Sequence, residues 1–506
     1  MADTLTIRSP ANGEPLGEVA VSTREDVLAA VARARAAQVA WGARSVEARC
    51  AVLRDVRAAI LDDRDALVDL IARESGKPRH EALLHEVMAP LELLTTFTDA
   101  APRLLAPTPI PLRLMKHRGS WLHYVPRGVV GVIGPWNFPH NIPFGAAAMA
   151  LLAGNGVVLK PSEFTPLVAR HVHALYLRAG VPEDLFQLVQ GPGEVGAALI
   201  EAGVDMVTFT GSVATGRRVG ALCGARIVPC VLELGGKAPA LVLEDADLDR
   251  AVHAVLWGAF ANCGQVCASV ERVLVHTSLY EPFVERLVAG VRALRLGDPV
   301  RSAEVDLGPL QNARQRDVVE ALVADAVAKG ATVRCGGARP EGLDGLYLLP
   351  TVLTGVTRDM DIATREIFGP VVTVQPMPDD AAMIAEANDS HLGLLAYVFS
   401  RDPDRAARVA EQLAAGTVMV NDVITSHAMP ETPWAGVKQS GIGSTHGEEG
   451  LRQMCQVRHV NVDVLPWLTR ERWWFPYRAP DLRLLGRALA ALYGRGMQRW
   501  RGLLRD

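Results

Sequence analysis

Short all-apolar runs alternate along the chain with stretches of helical period. From Gly128 to Leu159 there is no Asp, Glu, Lys or Arg, long enough to test against the roughly 20 apolar residues of a membrane-spanning helix. Pro135, Pro139 and Pro143 interrupt it together with Asn137, His140 and Asn141, and lipid could not satisfy the backbone groups those prolines free. The stretch therefore predicts a buried strand at Gly128–Ile133, a loop at Gly134–Pro143, a helix at Phe144–Ala153 and a second buried strand at Val157–Lys160. Helical patterning predicts helices over Arg24–Trp41, Ser45–Glu74 and Arg79–Ala100. Further strands are expected at Val207–Thr210, Ile227–Glu233, Ala240–Val242, Val273–His276, Ala396–Phe399 and Thr417–Asn421. Such alternation implies an α/β fold with parallel sheets covered on both faces.

Composition narrows the class. With 506 residues, 49% of them hydrophobic and 21% charged, the chain can build about three domains, and it is not a disordered polymer. Its 52 basic and 56 acidic residues leave a formal net charge of −4, which gives no reason to expect a nucleic-acid partner. Seven cysteines are too few and too odd in number for a disulfide framework, and the opening residues are polar and unlike a signal peptide. A reducing, cytoplasmic setting with free thiols is expected.

Five segments can carry chemistry. Gly134-Pro135-Trp136-Asn137-Phe138-Pro139 holds the Asn137 amide on a proline-stiffened loop, where it can donate to an oxyanion, although an ordinary Asn turn has the same composition. Lys160-Pro161-Ser162-Glu163 follows a predicted strand where doubly wound folds contact a ribose, and Glu163 would repel a 2′-phosphate; solvated surface charge is the plainer alternative. Phe209 to Gly216 is close to a dinucleotide loop, with Val213 in place of the middle glycine. A pyrophosphate could still sit at the helix N-terminus beside Gly211 and Ser212, held more loosely, or the segment could be a simple strand-to-helix turn. Glu233 before Gly235-Gly236 suits a movable general base or a structural turn. Cys267, flanked by the apolar Val266 and Ala268, suits a nucleophile, while nearby Cys263 lacks the histidines that would suggest a metal site, so no metal is expected.

Two segments argue against rival functions. His80-Glu81-Ala82-Leu83-Leu84-His85 spaces its histidines five apart, so they cannot share a helical face as in zinc proteases and read as solvated or capping residues. There is also no phosphate loop ending in Gly-Lys-Ser/Thr and no Gly-x-Ser-x-Gly elbow.

The ordered set PWNFP, KPSE, FTGSVATG, ELGGK, GQVC, EIFGP (Glu366 to Pro370) and PWAGVKQSG (Pro433 to Gly441) resembles the NAD(P)-dependent aldehyde dehydrogenase superfamily, from about the N-terminus to Val464. The resemblance implies Cys267 as nucleophile, Glu233 as general base and Asn137 as oxyanion donor alongside the Cys267 N–H. It also implies Lys160 and Glu163 at the adenosine ribose, Gly211 and Ser212 at a phosphate, Glu366 and Phe368 at the nicotinamide half, and Trp136 along the cofactor wall, with NAD as cofactor and NADP as the alternative. It implies a Rossmann-like cofactor domain over 1–233, interrupted by a hairpin near 117–124, and a catalytic thiol domain over 234–425. Residues 426–463 would return to the cofactor domain and complete an oligomerisation hairpin, giving a homodimer or homotetramer.

Departures from the family pattern bear on substrate. Trp434-Ala435 stands where Phe-Gly is usual, which adds bulk to the aldehyde channel beside Val266 and Ala268 and suits an apolar aldehyde. Gly443-Ser444-Thr445-His446 lacks the common Arg-Glu pair. From Val464 to Asp506 there are nine arginines, three acids and four tryptophans, with Leu482, Leu485, Leu489 and Leu492 on one helical stripe. Such a tail can lie in a membrane interface or pack on the protein or a partner subunit. Tail and channel together resemble the branch acting on long-chain or carotenoid-type aldehydes. A coenzyme A-acylating or acyl-reducing relative and a non-catalytic scaffold are the rival readings; the first would often lack Glu233, and the second would be expected to lose Cys267, Glu233 or Asn137.

Overall fold

The computed structural model describes residues 3–497, which fall into two compact units. The larger unit, formed by 3–106 and 124–456, contains two mainly parallel sheets. The first has the order Gly441–Ile442, Cys230–Glu233, Met206–Thr210, Val129–Ile133, Gly156–Lys160, Phe186–Leu188, with only the Gly441–Ile442 strand antiparallel. The Val-rich strands Val129–Ile133 and Gly156–Lys160 are buried throughout, as central strands covered on both faces must be. From Val129–Ile133 the chain builds outward on one side and then returns to add Met206–Thr210 on the other. That leaves a switch point at which the carboxyl ends of neighbouring strands open a crevice.

The second sheet has the order Thr332–Cys335, Thr351–Thr354, Val371–Met377, Val270–His276, Ala238–Val242, Leu395–Phe399, Thr417–Val420, parallel except for the first pair. The helix Asn141–Leu152 is apolar nearly all round and buried along its length, as a core helix should be.

Three expectations need correction. The segment 45–74 is two helices, Val46–Asp62 and Arg64–Ser75, joined at Asp63, whose φ −94° and ψ 4° leave the helical region. The helix from Arg79 is interrupted by a π-turn at Leu84–Met88 before Ala89–Leu104. Pro90 has no N–H to give the Glu86 carbonyl one turn earlier, and the His140 ring nitrogen takes that carbonyl instead at 2.5 Å. The strand expected from Ile227 begins at Cys230, because Ile227 is the left-handed cap of the preceding helix and lies exposed at the turn.

The smaller unit comprises 107–123 and 457–497 of the described residues. Most of the sheet ordered Cys455–Asp463, Arg118–Pro126, Thr108–Pro109 falls in this unit, and Ser120 meets His459 at 2.6 Å. Buried Glu471 is held by Arg118 and His117, both at 3.0 Å. The expected tail helix runs over Ala479–Tyr493, anchored where Asp481 meets Arg470 and Arg472, each at 3.2 Å. Its leucine stripe faces outward: Leu482 is 74% exposed, Leu489 58% and Leu492 52%, with Leu485 half-buried. The rest of the tail, 498–506, lies outside the described residues.

Candidate active site

The loop after Val129–Ile133 carries Trp136 and Asn137, and its shape depends on a buried pair from elsewhere in the chain. Lys77 and Glu86 form an ion pair with both side chains fully buried. The Lys77 ammonium also donates to the Asn137 carbonyl at 2.9 Å and sits 4.0 Å over the Phe138 ring. The Glu86 carboxylate accepts from the backbone N–H groups of His140 and Asn141 at 3.1 and 2.9 Å, capping the buried helix. The Asn137 amide donates to the Gln265 carbonyl at 2.9 Å. One of its two N–H groups is thus used to hold it, and one is left for a ligand.

The nucleophile candidate follows a sharply bent segment. Asn262, Cys263 and Gly264 all have positive φ, at 49°, 59° and 70°. The bend is held by Glu81, which accepts from Asn262 N–H at 2.8 Å, and by the Asn262 amide, which donates to the carbonyls of Asn137 and Gln265 at 3.1 and 3.2 Å. Gly264 is required there, since a Cβ would stand 2.1 Å from the Gly369 carbonyl oxygen. Cys267 is partly exposed at the end of this bend. Burial pushes its thiol up to about 12, the Glu366 and Glu233 carboxyl groups add to that rise, and the N–H groups of Cys267 and Ala268 oppose it.

Glu233 ends its strand, and neither carboxyl oxygen has a hydrogen-bond partner. Burial raises its pKa well above the ordinary carboxyl range; the Trp434 indole beside it opposes the rise without forming a hydrogen bond of good geometry. The two following glycines serve close approach more than movement. A Cβ on Gly235 would lie 2.4 Å from the Glu366 carboxylate, and one on Gly236 would lie 2.1 Å from the Cys267 carbonyl oxygen. Glu366 accepts from Gly236 N–H at 2.8 Å and is pushed up to about 8 by burial and by the nearby Glu271 charge. Lys237 and Glu271 form a buried pair at 2.7 Å, and Glu271 also accepts from the N–H groups of Ile367 and Phe368. This fixes the Glu366 loop and its Phe368, whose ring meets Trp136 edge-on at 5.4 Å.

The remaining expected cofactor residues also stand at carboxyl ends of the first sheet. Lys160 pairs with Glu163 at 3.4 Å, and Ser212 caps the helix Val213–Arg226 by accepting from Thr215 N–H. Gly211 donates its N–H to the Glu233 carbonyl at 3.0 Å. A helix N-terminus and a Lys–Glu pair at the carboxyl ends of one parallel sheet suit a dinucleotide.

Two cavities meet at Cys267. One, of about 40 Å³, is lined by Glu233, Cys267, Trp434, His427 and His446. The other, of about 200 Å³, runs past Val266, Ala268 and Trp434 and is walled by His85, Met88, Trp257 and Ile424. Asn137, Trp136, Lys160, Glu163, Gly211, Ser212, Glu366 and Phe368 line neither. His85 corrects the expectation of a solvated residue: its ring packs 5.9 Å from Phe138 and 6.0 Å from Trp257, and burial pushes its pKa down to about 3. His80 is exposed as expected. Lys77, Glu86, His85, His427 and Trp257 lie outside the chemical motifs, and only the odd spacing of His80 and His85 hinted at any of them.

Residues 1–460 match the model of the aldehyde dehydrogenase family. The chain belongs to that family. This dehydrogenase is 38% identical to a 4,4′-diapolycopene aldehyde oxidase of Methylomonas sp., over 99% of this chain and 93% of that protein. It is 42% identical to a 3,6-anhydro-α-L-galactose dehydrogenase of Streptomyces coelicolor, over 90% and 94%. Betaine aldehyde dehydrogenase from Staphylococcus aureus, solved with NAD+, superposes with a TM-score of 0.88 at 34% identity, covering 94% of each chain. An aldehyde dehydrogenase from Bacillus cereus, also solved with NAD+, gives 0.88 at 35% identity over 91% and 94%.

Proposed function

We propose that this dehydrogenase oxidises a long apolar aldehyde to its carboxylate with NAD, or alternatively NADP, using Cys267, Glu233 and Asn137. The observation that carries the substrate reading is the larger cavity at Cys267. Its wall of Met88, Trp257, Val266, Ile424 and Trp434 holds no Lys, Arg, Asp or Glu, so it would desolvate a hydrocarbon chain cheaply and a charged one at high cost. The relative named for 4,4′-diapolycopene aldehyde matches through 99% of this chain, hence through the tail, which supports the same substrate class.

Cys267 must lose its proton to attack, and its carbon–sulfur bond to the aldehyde leaves an oxyanion, for which the remaining Asn137 N–H is the proposed donor. A bound nicotinamide supplies the hydride acceptor. Trp136, Phe368 and Glu366 would hold its ring and ribose, Lys160 and Glu163 the adenosine ribose, and Gly211 with Ser212 a phosphate. Glu233 then takes a proton from the water that hydrolyses the thioester, which favours this reading over coenzyme A acylation or a scaffold. Residues 1–233 and 426–463 are assigned to the cofactor domain with the oligomerisation hairpin, and 234–425 to the catalytic domain. The edge strand Cys455–Asp463 would join copies into a homodimer or homotetramer.

The test is reduced-cofactor formation against an aldehyde chain-length series, with NAD and NADP in parallel and Cys267→Ala as control. Rates should climb with chain length and vanish in the variant. Activity confined to short or charged aldehydes would refute the substrate reading.

The outward leucine stripe favours a second element of this reading. No helix among the described residues is long and apolar enough to cross a membrane, but Trp467, Trp473, Trp474, Phe475 and Tyr477 are all exposed near the arginine-rich helix. We assign the tail to peripheral contact with an anionic bilayer. Deleting Pro480–Asp506 should abolish binding to anionic liposomes, and absence of binding by the intact protein would refute it.

A further inference from the structure

The sequence Gly443-Ser444-Thr445-His446, noted as a departure from the family pattern, places His446 in an unusual backbone state. His446 has φ 61° and ψ 175°, a region almost confined to glycine. The conformation is imposed by its neighbours. Thr445 and Trp434 exchange backbone hydrogen bonds at 2.7 and 2.8 Å, Gly447 donates to the Pro430 carbonyl at 2.8 Å, and Gly450 donates to the His446 carbonyl at 2.9 Å. A strained residue so firmly held invites a functional reading of its side chain.

That side chain is 3% exposed, and its Nδ1 is buried without a hydrogen-bond partner. The ring packs 4.5 Å from His427, which packs 4.8 Å from Trp434 and meets the Asn141 amide at 3.4 Å. Burial keeps both imidazoles neutral, pushing His427 down to about 4 and His446 well below the ordinary histidine range. His446, His427, Glu233 and Cys267 line the same cavity of about 40 Å³. That volume exceeds the roughly 10–15 Å³ a water needs, and a water also needs two to four polar partners. Both Glu233 carboxyl oxygens and His446 Nδ1 are buried and unpartnered there.

We propose that His446, braced by His427, is a positioning residue for the hydrolytic water, which it holds through Nδ1 between Glu233 and the acyl group on Cys267. In this step the water oxygen bonds to the acyl carbon and one water proton passes to the Glu233 carboxylate. The carbon–sulfur bond breaks, the proton returns from Glu233 to the Cys267 sulfur, and the acid leaves with the other hydrogen. His446 gains and loses no proton; its neutral Nδ1 accepts a hydrogen bond and aims the water.

This inference rests on the roles proposed for Cys267 and Glu233, and an ester substrate separates the two, because it acylates the thiol without any cofactor. With 4-nitrophenyl acetate, the nitrophenolate burst reports acylation and the steady rate reports deacylation. His446→Leu should keep the burst and lower the steady rate about 10- to 100-fold. His446→Asn, which retains an acceptor near the Nδ1 position, should restore most of that rate. A His446→Leu steady rate equal to that of the unmodified protein would overturn the proposal, as would a proportional fall in both phases. A burst in the unmodified protein that survives Cys267→Ala would overturn the nucleophile assignment itself.

Discussion

Replacing Lys77 by Met tests whether the buried pair beneath the Asn137 loop holds the site together. The substitution conserves length and apolar stem but leaves Glu86, whose side chain is fully buried, with no cation. Breaking a buried pair in this way costs about 3–5 kcal/mol, and the lost hydrogen bond to the Asn137 carbonyl adds about 1 kcal/mol. Against a typical stability of about 5–15 kcal/mol, Lys77→Met should shift the urea midpoint strongly. Releasing the Asn137 carbonyl should also misplace its amide, with a loss of up to about 10²–10³ in turnover. Adding Glu86→Gln removes the orphaned charge while keeping an oxygen for the His140 and Asn141 N–H groups. The double variant should therefore regain about 2–4 kcal/mol of the loss. Urea denaturation followed by fluorescence, with turnover measured on the same samples, gives both readouts. A single-variant loss below about 1 kcal/mol, or a double variant no more stable than the single, would refute the reasoning.

Three further outcomes are expected. With the Cys267 thiol pushed up to about 12, iodoacetamide labelling of the cofactor-free protein should rise about tenfold per pH unit from pH 7 to 10; a plateau below pH 10 would contradict it. Glu366, pushed up to about 8 when folded, binds its proton more tightly folded than unfolded. Its share of stability is present in full below about pH 4.5, falls by at most about 1.4 kcal/mol per unit as pH rises toward 8, and is flat beyond. Glu366→Gln should flatten that fall in a denaturation series, and an unchanged slope would count against it. Gly236→Ala puts a Cβ 2.1 Å from the Cys267 carbonyl oxygen, a backbone atom with no flexible end to swing aside. It should destabilise by about 1–3 kcal/mol and depress turnover more than Gly193→Ala, where a Cβ meets nothing within 4 Å.

The central strands of the first sheet were legible because they are written locally, as were the motifs that suggested chemistry, whereas the interior strand Val371–Met377 of the second sheet went unread. A run as short as Val129–Ile133, all apolar and bounded by Gly128 and Gly134, fits a buried strand better than a helix, and a Gly-Gly turn after Glu233 or a bend before Cys267 is spelled by adjacent residues. The short strands Phe186–Leu188 and Thr351–Thr354 were not, since so few residues show no period. The break at Asp63 and the π-turn before Pro90 were hidden because helical patterning persists across both.

What only tertiary structure decided is which distant groups share a cavity and which charges go without water. Nothing in the sequence singles out Lys77 and Glu86, which the fold buries as a pair beneath Asn137. His85 reads as a solvated or capping histidine and His446 only as part of a departure from the family pattern, until the chain brings one to the wall of the apolar cavity and the other to the cavity that Glu233 lines. Turns and strands follow from interactions within a few residues. Burial, and with it every shifted pKa and unpartnered nitrogen at this site, depends on segments hundreds of residues apart, such as Glu233 and His446, being excluded from solvent together.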